Sequence, residues 1–344
     1  MNDCVHSSPF YSENGVFLIA EVGGNHEGDF GYAKELLHMA AESGADAVKF
    51  QIYTGESLVN PRYDPERVAH FNRFALSREQ YVELAELCGS LGTRFMASVW
   101  DPGMFEEIDP YMPIYKVGSG DLTAYDFLAR CAATGKPIIL STGLATLAEI
   151  RDAVAFIAGK DGRYLRERRL ALLQCTAMYP APDDQANLKV MDVLREETGL
   201  PVGYSDHTRG VKAVEVAVAM GAEIIEVHFS DNPEKTGFRD HQVSLSGVQV
   251  KQFLETVKQI RCLQGDGVKA PMPVEIDSGH VHSFRRGVYL SRDGAAGEVI
   301  EASDLVTLRP LRGISARFFF RVVGKRLRRA VQRHEALNWD DFEN

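Results

Sequence analysis

His207 and His228 are the residues whose placement points most directly to chemistry. One closes Val202-Gly203-Tyr204-Ser205-Asp206-His207, the other Ile224-Ile225-Glu226-Val227-His228, and in each a short β-prone segment ends on the imidazole. Between them, residues 211–220 carry apolar side chains at helical spacing, so the stretch reads as strand, helix, strand. Such a unit sets two strand ends side by side in a parallel sheet. Two imidazoles placed there can share one divalent ion. A lone histidine at a strand end is ordinarily a hydrogen-bonded structural residue; the pairing, with Ser205, Asp206 and Asp240 nearby, favours a metal site.

Two lysines stand where a buried strand should be apolar: Lys49 in Ala47-Val48-Lys49-Phe50-Gln51 and Lys116 in Ile114-Tyr115-Lys116-Val117-Gly118-Ser119-Gly120. A buried ammonium is costly unless an anion accompanies it. Small hydroxyls and glycines at neighbouring strand ends would complete a phosphate pocket, with backbone amides of 118–120 and 142–143 as further donors. Alternatively each lysine pairs with a structural carboxylate such as Glu226. A Schiff-base lysine is a third reading, and it leaves the two histidines without a purpose. A phosphate ester, a divalent metal and a carboxylate (Glu21) across the same opening suit a metal-assisted carbon–carbon condensation.

These groups need a frame that collects strand ends. Short apolar segments fall at 16–20, 47–51, 94–98, 114–117, 137–141, 170–174, 202–205 and 224–228, and most of the intervening stretches read as helices. Ser77-Arg78-Glu79-Gln80 is a capping-box start for a helix through Cys88. Residues 146–158 align Leu147, Ile150, Val154 and Ile157 on one face, and 246–260 align Val248, Phe253, Val257 and Ile260. Repeats of roughly 30 residues are βα units, and eight of them make an α/β (β/α)8 TIM barrel. A doubly wound open sheet would ordinarily show G-x-G-x-x-G after its first strand; the glycines of Gly23-Gly24-Asn25-His26-Glu27-Gly28 lack that spacing.

In such a barrel the active site lies at the C-terminal ends of the strands. Taken in order, these ends offer Glu21, Asn25 and His26, then Lys49 and Gln51, then Ser98 and Asp101, then Lys116 and Ser119. They continue with Ser141, Thr142 and Gly143, then Gln174, Thr176 and Tyr179, and finally Ser205, Asp206, His207, His228 and Asp240. The expected division is a barrel over 1–262, a Gly- and Pro-rich linker over 263–283 and a small C-terminal domain over 284–344. Within the last, strands are expected at 286–290 and 305–308. A unit of about 60 residues has a marginal core alone and should dock on another surface.

With 344 residues, 45% hydrophobic and 25% charged, the chain has an ordinary globular composition. Its net charge of -10 argues against nucleic acid as the main partner. Five scattered cysteines without a C-x-x-C pair read as reduced thiols. The first residues lack a basic segment followed by an apolar core, and no apolar run approaches the roughly 20 residues that span a bilayer. A cytoplasmic protein without a membrane partner is expected.

Several stretches together resemble the sialic acid synthase family. They are Ala20-Glu21-Val22-Gly23-Gly24-Asn25-His26-Glu27-Gly28, Val48-Lys49-Phe50-Gln51, Lys116-Val117-Gly118-Ser119-Gly120-Asp121, Leu140-Ser141-Thr142-Gly143, Gln174-Cys175-Thr176 through Tyr179-Pro180, and Ser205-Asp206-His207-Thr208. Leu308-Arg309-Pro310 and Gly313-Ile314-Ser315 are similar to that family's antifreeze-like (SAF) domain. The resemblance implies an N-acetylneuraminate synthase-like reaction: phosphoenolpyruvate condenses with an N-acylated hexosamine to a nine-carbon 2-keto acid, releasing phosphate. It implies that His207 and His228 bind a divalent metal (Mn, Mg or Co), and that Lys49, Lys116, Ser119, Ser141 and Ser205 hold phosphoenolpyruvate, with Ser98 keeping a hydroxyl for the phosphate. Glu21 would handle protons; Gln51, Tyr179 and Asp240 would meet the sugar. Arg309 would reach the N-acyl group in the partner's site, making a domain-swapped homodimer the working unit.

Three departures bear on the sugar. Ser98-Val99-Trp100-Asp101 replaces a Thr-Pro-Phe-Asp pattern, Ala177 stands at a usually polar position, and Thr236-Gly237-Phe238-Arg239 replaces a Pro-Gly-Pro-like turn. They open the alternative of a legionaminic or pseudaminic acid synthase using a diacetamido-trideoxy hexose, for which Phe and Trp near the sugar would suit a 6-deoxy carbon. A synthase of shorter keto acids and a non-catalytic carbohydrate-binding protein are the other readings. His241 is expected either as a spare ligand or in a loop hydrogen bond.

Overall fold

The computed structural model describes residues 8–235 and 238–343. Contacts divide the chain into two compact units, Met1–Gly265 and Asp266–Asn344. The first contains eight parallel strands: β1 (Phe17–Glu21), β2 (Ala47–Ile52), β3 (Arg94–Val99), β4 (Tyr115–Val117), β5 (Ile138–Ser141), β6 (Leu170–Cys175), β7 (Val202–Asp206) and β8 (Ile224–Phe229). Their order is β3-β2-β1-β8-β7-β6-β5-β4, a nearly closed (β/α)8 barrel. β3 and β4 meet at the seam with Cα atoms within 8 Å but share no ladder among the described residues. A short ninth strand, β9 (Ser244–Leu245), extends the β8 edge at the rim.

Successive side chains on a strand alternate between the two faces of the sheet, and the inward face here changes character along its length. At the N-terminal end the barrel is filled by Phe17, Ile19, Ala47, Met96, Ile114, Ile139, Ala171, Leu173 and Ile224, with Phe10 against them. Two residues further along the same strands come Glu21, Lys49, Ser98, Lys116, Ser141, Cys175 and Glu226, all buried. Register then pairs them: Glu21 lies level with both Lys49 and His228, Gln51 with Ser98, and Ser205 with Glu226. The outward face packs on the helices through a second, larger apolar layer that includes Val48, Phe50, Leu140, Leu172, Tyr204, Ile225 and Val227.

The expected strands lie within one residue of the observed ones. The helix Arg78–Ser90 begins with the Ser77/Gln80 capping box, Ser77 Oγ accepting from the Gln80 amide and Gln80 Oε1 accepting from the Ser77 amide. The helices Leu147–Lys160 and Gly247–Gln264 are capped in the same way by Thr146 and Ser246. On the latter, Val248 is 66% exposed and does not belong to the packed face, which is Val250, Phe253, Leu254 and Val257. The stretch read as a linker contains two short helices, Pro273–Asp277 and His280–Ser283. Each is too short to show a hydrophobic period; Pro273 at the first turn presets the first of them.

The second unit pairs β10 (Gly287–Leu290) with β11 (Leu305–Leu308) in an antiparallel ladder over a small core of Val288, Leu290, Ile300, Ile314, Val322, Leu327, Val331, Leu337 and Phe342. One arrangement occurs in it twice. Arg292 bridges Asp304 (2.7 Å) and Glu298 (2.6 Å), and Arg329 bridges Asp341 (2.7 Å) and Glu335 (2.8 Å). Each set spans the same spacing along the chain, an internal repeat that hydrophobic patterning did not reveal. Among the described residues no helix is long and apolar enough to cross a membrane.

Barrel closure depends on Gly203, where an added Cβ would meet the Ile224 carbonyl oxygen of the neighbouring strand at 2.1 Å. Gly203→Ala should therefore lower stability by about 1–3 kcal/mol or more, measured by denaturant unfolding; an unchanged midpoint would contradict the closeness of β7 and β8 at that point.

Candidate active site

A cavity of about 620 Å³ opens at the C-terminal ends of the barrel strands, within the usual range for ligand pockets, about 300–1,000 Å³. Glu21, Lys49, Gln51, Ser98, Lys116, Ser119, Ser141, Tyr179, Ser205, His207, His228 and Asp240 all line it. Arg309 belongs to the second unit, where its guanidinium lies 5.5 Å from the Phe284 ring centre.

At the cavity floor four charged side chains are almost fully removed from water: Glu21, Lys49, Lys116 and Glu226. Lys49 Nζ lies 2.6 Å from Glu21 Oε2 and 3.5 Å from Glu226 Oε1. Lys116 Nζ lies 3.3 Å from Glu226 Oε2 and donates to Ser141 Oγ at 2.8 Å. Ser205 Oγ donates to Glu226 Oε2 (2.7 Å), and Gln51 Nε2 donates to Glu21 Oε1 (2.7 Å). Burial opposes the charge on Glu226, yet Lys116 and Lys49, with the Ser205 hydroxyl, hold its carboxyl below the ordinary range. Burial also opposes the charge on Lys49, and Glu21 and Glu226 more than offset it, raising its pKa. The lysines thus have the carboxylate partners of the alternative reading and also line the cavity.

Above this floor, ring centres of His207 and His228 are 5.4 Å apart. The His207 Nδ1 lies 2.8 Å from the Thr176 carbonyl oxygen, which can only accept, so Nδ1 carries the proton and Nε2 keeps a free lone pair. His228 Nδ1 has no hydrogen-bond partner among the described residues, and the nearest carboxylate oxygen, Asp240 Oδ2, is 3.8 Å away. The Tyr179 ring is tilted 35° against that of His207, centres 3.9 Å apart, and the Arg239 guanidinium sits 4.2 Å over Tyr179. Burial, then the neighbouring His228, pushes the His207 pKa down to about 4, which favours the neutral ring a metal requires. An imidazole pair with an unpartnered buried nitrogen fits two positions on a divalent ion. No cluster of three or more His, Cys, Asp or Glu ligands occurs among the described residues, so water and substrate oxygens would fill the remaining positions.

Other expected donors serve the scaffold. The Thr142 amide donates to the Leu173 carbonyl and the Gly143 amide to Ser119 Oγ, so neither is open to a ligand. Asp101 caps the Gly103 amide, and Asp206 accepts from Thr208 and Tyr204. Gln174 and Thr176 donate to the carbonyls of Ala186 and Gln185, and His26 Nδ1 accepts from the Gly28 amide. His241 bonds through both ring nitrogens and is no spare ligand.

The site also holds groups that sequence reasoning passed over. Glu226, expected as a counter-ion to the lysines, lines the cavity itself. Arg67, His70 and Phe71, from the helix Pro65–Asn72, and Phe74 just beyond it form one wall. Phe238 packs against Phe74 at 5.0 Å, and an added Cβ on Gly24 would meet its ring at 2.6 Å. Thr236 and Gly237, which belong to the same departure from the family pattern, lie outside the described residues. Trp100 donates to Asp121 Oδ2 at 2.6 Å and lies 6.0 Å from Tyr53.

Acidification should reveal the buried imidazole. The unfolded chain protonates His207 near 6.5 and the folded chain only near 4, so folding stability falls as pH drops through that interval and levels below it. The loss is about 3 kcal/mol for this residue, with His26, likewise lowered to about 4 by burial, adding to the slope. In chelator-treated protein His207→Gln should flatten part of the pH dependence of unfolding; a variant with the wild-type slope would contradict this burial.

The NeuB family matches residues 36–269 and the SAF domain residues 285–343. N,N'-diacetyllegionaminic acid synthase of Legionella pneumophila is 36% identical over 95% of this chain and 94% of that protein. N-acetylneuraminate-9-phosphate synthase of Homo sapiens is 26% identical over 95% of this chain and 93% of that one. The crystal structure of N-acetylneuraminic acid synthetase from Leptospira borgpetersenii in complex with citrate superposes with a TM-score of 0.71 at 30% identity, covering 77% of this chain and 90% of that one. The chain therefore belongs to the NeuB family of phosphoenolpyruvate-utilising condensing enzymes and carries a SAF domain toward its C-terminus.

Proposed function

We infer that this enzyme condenses phosphoenolpyruvate with the open-chain aldehyde of an N-acylated hexosamine. C3 of phosphoenolpyruvate bonds to the aldehyde carbon, water adds at C2, and phosphate leaves with cleavage of its C2–O bond, giving a nine-carbon 2-keto acid. The observation that carries this reading is the pair of buried ammonium groups, Lys49 and Lys116, at the floor of a cavity whose rim holds two imidazoles. Charge-assisted hydrogen bonds from such groups are the strong ones, and a trianionic ester is the ligand they suit. Ser98, Ser119, Ser141 and Ser205 supply hydroxyls around it. Glu21, held by Lys49 and Gln51, would handle a proton or orient the attacking water. Gln51, Tyr179 and Asp240, which line the same cavity, would contact the sugar.

A divalent cation (Mn, Mg or Co) on His207 and His228 would polarise the aldehyde carbonyl. By the resemblance of Leu308-Arg309-Pro310 to the family's SAF domain, Arg309 of one subunit would meet the N-acyl group in the site of its partner, with a domain-swapped homodimer as the working unit.

A specific observation bears on the sugar. Phe71, Phe74, Phe238 and Trp100 line the cavity, and apolar walls favour a methyl group over a hydroxyl. We therefore favour a 2,4-diacetamido-6-deoxy hexose over N-acetylmannosamine, the product then being of the legionaminic or pseudaminic type. The N,N'-diacetyllegionaminic acid synthase of Legionella pneumophila, to which the chain is similar, supports that choice.

Phosphate-release kinetics with the two sugars, each with phosphoenolpyruvate and added divalent metal, test both parts. The 6-deoxy sugar should give a kcat/KM about tenfold or more above N-acetylmannosamine; the reverse order would overturn the sugar assignment, and no turnover with any N-acyl hexosamine would overturn the reaction. His207→Ala and His228→Ala should lose bound metal and turnover together while keeping the fold by circular dichroism. Full activity of either in metal-free buffer would refute the metal role.

A further inference from the structure

The chemistry above uses Glu21, the last residue of β1, and leaves Asn25 and Glu27 of the glycine-rich segment after it unused. Both reach across the rim to the loop that carries Asp240. Asn25, fully buried, donates through Nδ2 to the Phe229 carbonyl (2.9 Å) and to Ser244 Oγ (2.9 Å). Ser244 Oγ in turn donates to the backbone carbonyl of Asp240 at 2.7 Å. One residue beyond Asp240, the ring of His241 is also fully buried, with Nε2 3.0 Å from Glu27 Oε1 and Nδ1 2.7 Å from Ser230 Oγ. Glu27 reaches it from a left-handed backbone conformation, φ 53°, which a non-glycine residue adopts only when its surroundings hold it there.

An ionised carboxylate only accepts, so Nε2 of His241 carries the hydrogen toward Glu27, while Ser230 Oγ is shared between Nδ1 at 2.7 Å and Asp231 Oδ1, to which it donates, at 3.3 Å. A serine, a histidine and a glutamate in line have the residue types of a hydrolase. Here, however, Ser230 is fully buried and its oxygen accepts from the Asn232 amide (3.1 Å), so no substrate carbonyl can reach it. The string therefore holds structure in place. What it holds is Asp240, whose carboxylate has weak moorings of its own: Arg239, whose side chain is 62% exposed, at 3.0 Å, and His228 at 3.8 Å, beyond hydrogen-bond reach.

We propose that Asn25 and the Glu27–His241–Ser230 string form a two-point clasp, and that these positioning residues fix the Asp240 loop against β1 so that its carboxylate meets the amino sugar. The proposal rests on the reading that Asp240 binds that sugar. It predicts a selective defect, because the clasp touches neither the lysines nor the serines around phosphoenolpyruvate.

The test is steady-state phosphate release with each substrate varied in turn, on the full chain, for wild type, His241→Leu, Glu27→Ala and Glu27→Gln, with melting temperatures recorded. His241→Leu and Glu27→Ala should raise KM for the N-acyl hexosamine about tenfold or more while KM for phosphoenolpyruvate stays within about twofold. Glu27→Gln, which keeps an oxygen facing Nε2, should restore most of the loss seen in Glu27→Ala. If His241→Leu fails to fold, the Glu27 pair still decides, since that carboxylate is partly exposed. Sugar KM unmoved in an active Glu27→Ala, or both KM values rising together, would overturn the clasp alone. Absence of wild-type turnover with every N-acyl hexosamine would overturn the functional reading and the clasp's role with it.

Discussion

Glu226 between Lys49 and Lys116 is the interaction on which the rest of the barrel's interior depends. Removing charges from water costs several kcal/mol per ion, and mutual attraction recovers that only when geometry and hydrogen bonding are good. Here each carboxylate has a cationic partner, and hydrogen bonds from Ser205 and Gln51 take up further lone pairs. A hydrophobic filling of the same volume would hold a barrel at least as well. Stability alone therefore does not account for the charges, and the fold is arranged to tolerate them. On the proposed function, an arriving anion would compete for, or share, ammonium groups already held by Glu21 and Glu226.

The tolerance comes from the way strands divide their inward faces. Phe17 and Ile19 precede Glu21, Ala47 precedes Lys49, Ile114 precedes Lys116, Ile139 precedes Ser141, and Ile224 precedes Glu226, each two residues apart. The apolar layer closes the barrel from below and excludes water from the ion pairs, while the opposite end stays open as the cavity. Parallel register, fixed by the ladders, then decides which polar groups are neighbours. That is why Glu21 lies beside both Lys49 and His228 although they are far apart in the chain.

Much of this was legible because charge in a strand is anomalous. Lys49 and Lys116 interrupt apolar runs, His207 and His228 end them, and all four reach the cavity. Glu226 sits in its strand by the same rule and two residues before His228, so it could have been read as a cavity residue rather than only a counter-ion. The wall of Arg67, His70, Phe71 and Phe74 left no such signal. It comes from a short helix inserted between β2 and β3, and nothing local to a helix says which surface it folds over. The Asn25 and Glu27 crossings are likewise silent in sequence, being contacts over some two hundred residues. Val248 was misplaced because a helical period admits neighbouring phases, and tertiary packing chose the one through Val250 and Phe253. The paired arginine bridges of the second unit leave no apolar period, because what repeats in them is charge.

Calorimetric titration of phosphoenolpyruvate into wild-type protein and Lys116→Met, without sugar, tests the central claim most directly. Methionine keeps the apolar stem and removes the charge, and each lost hydrogen bond to a charged group is worth about 1.5–3 kcal/mol. The paired-ammonium floor predicts binding weaker by about tenfold or more in a variant that remains folded. An unchanged dissociation constant would mean that Lys116 only balances Glu226 and that the anion binds elsewhere.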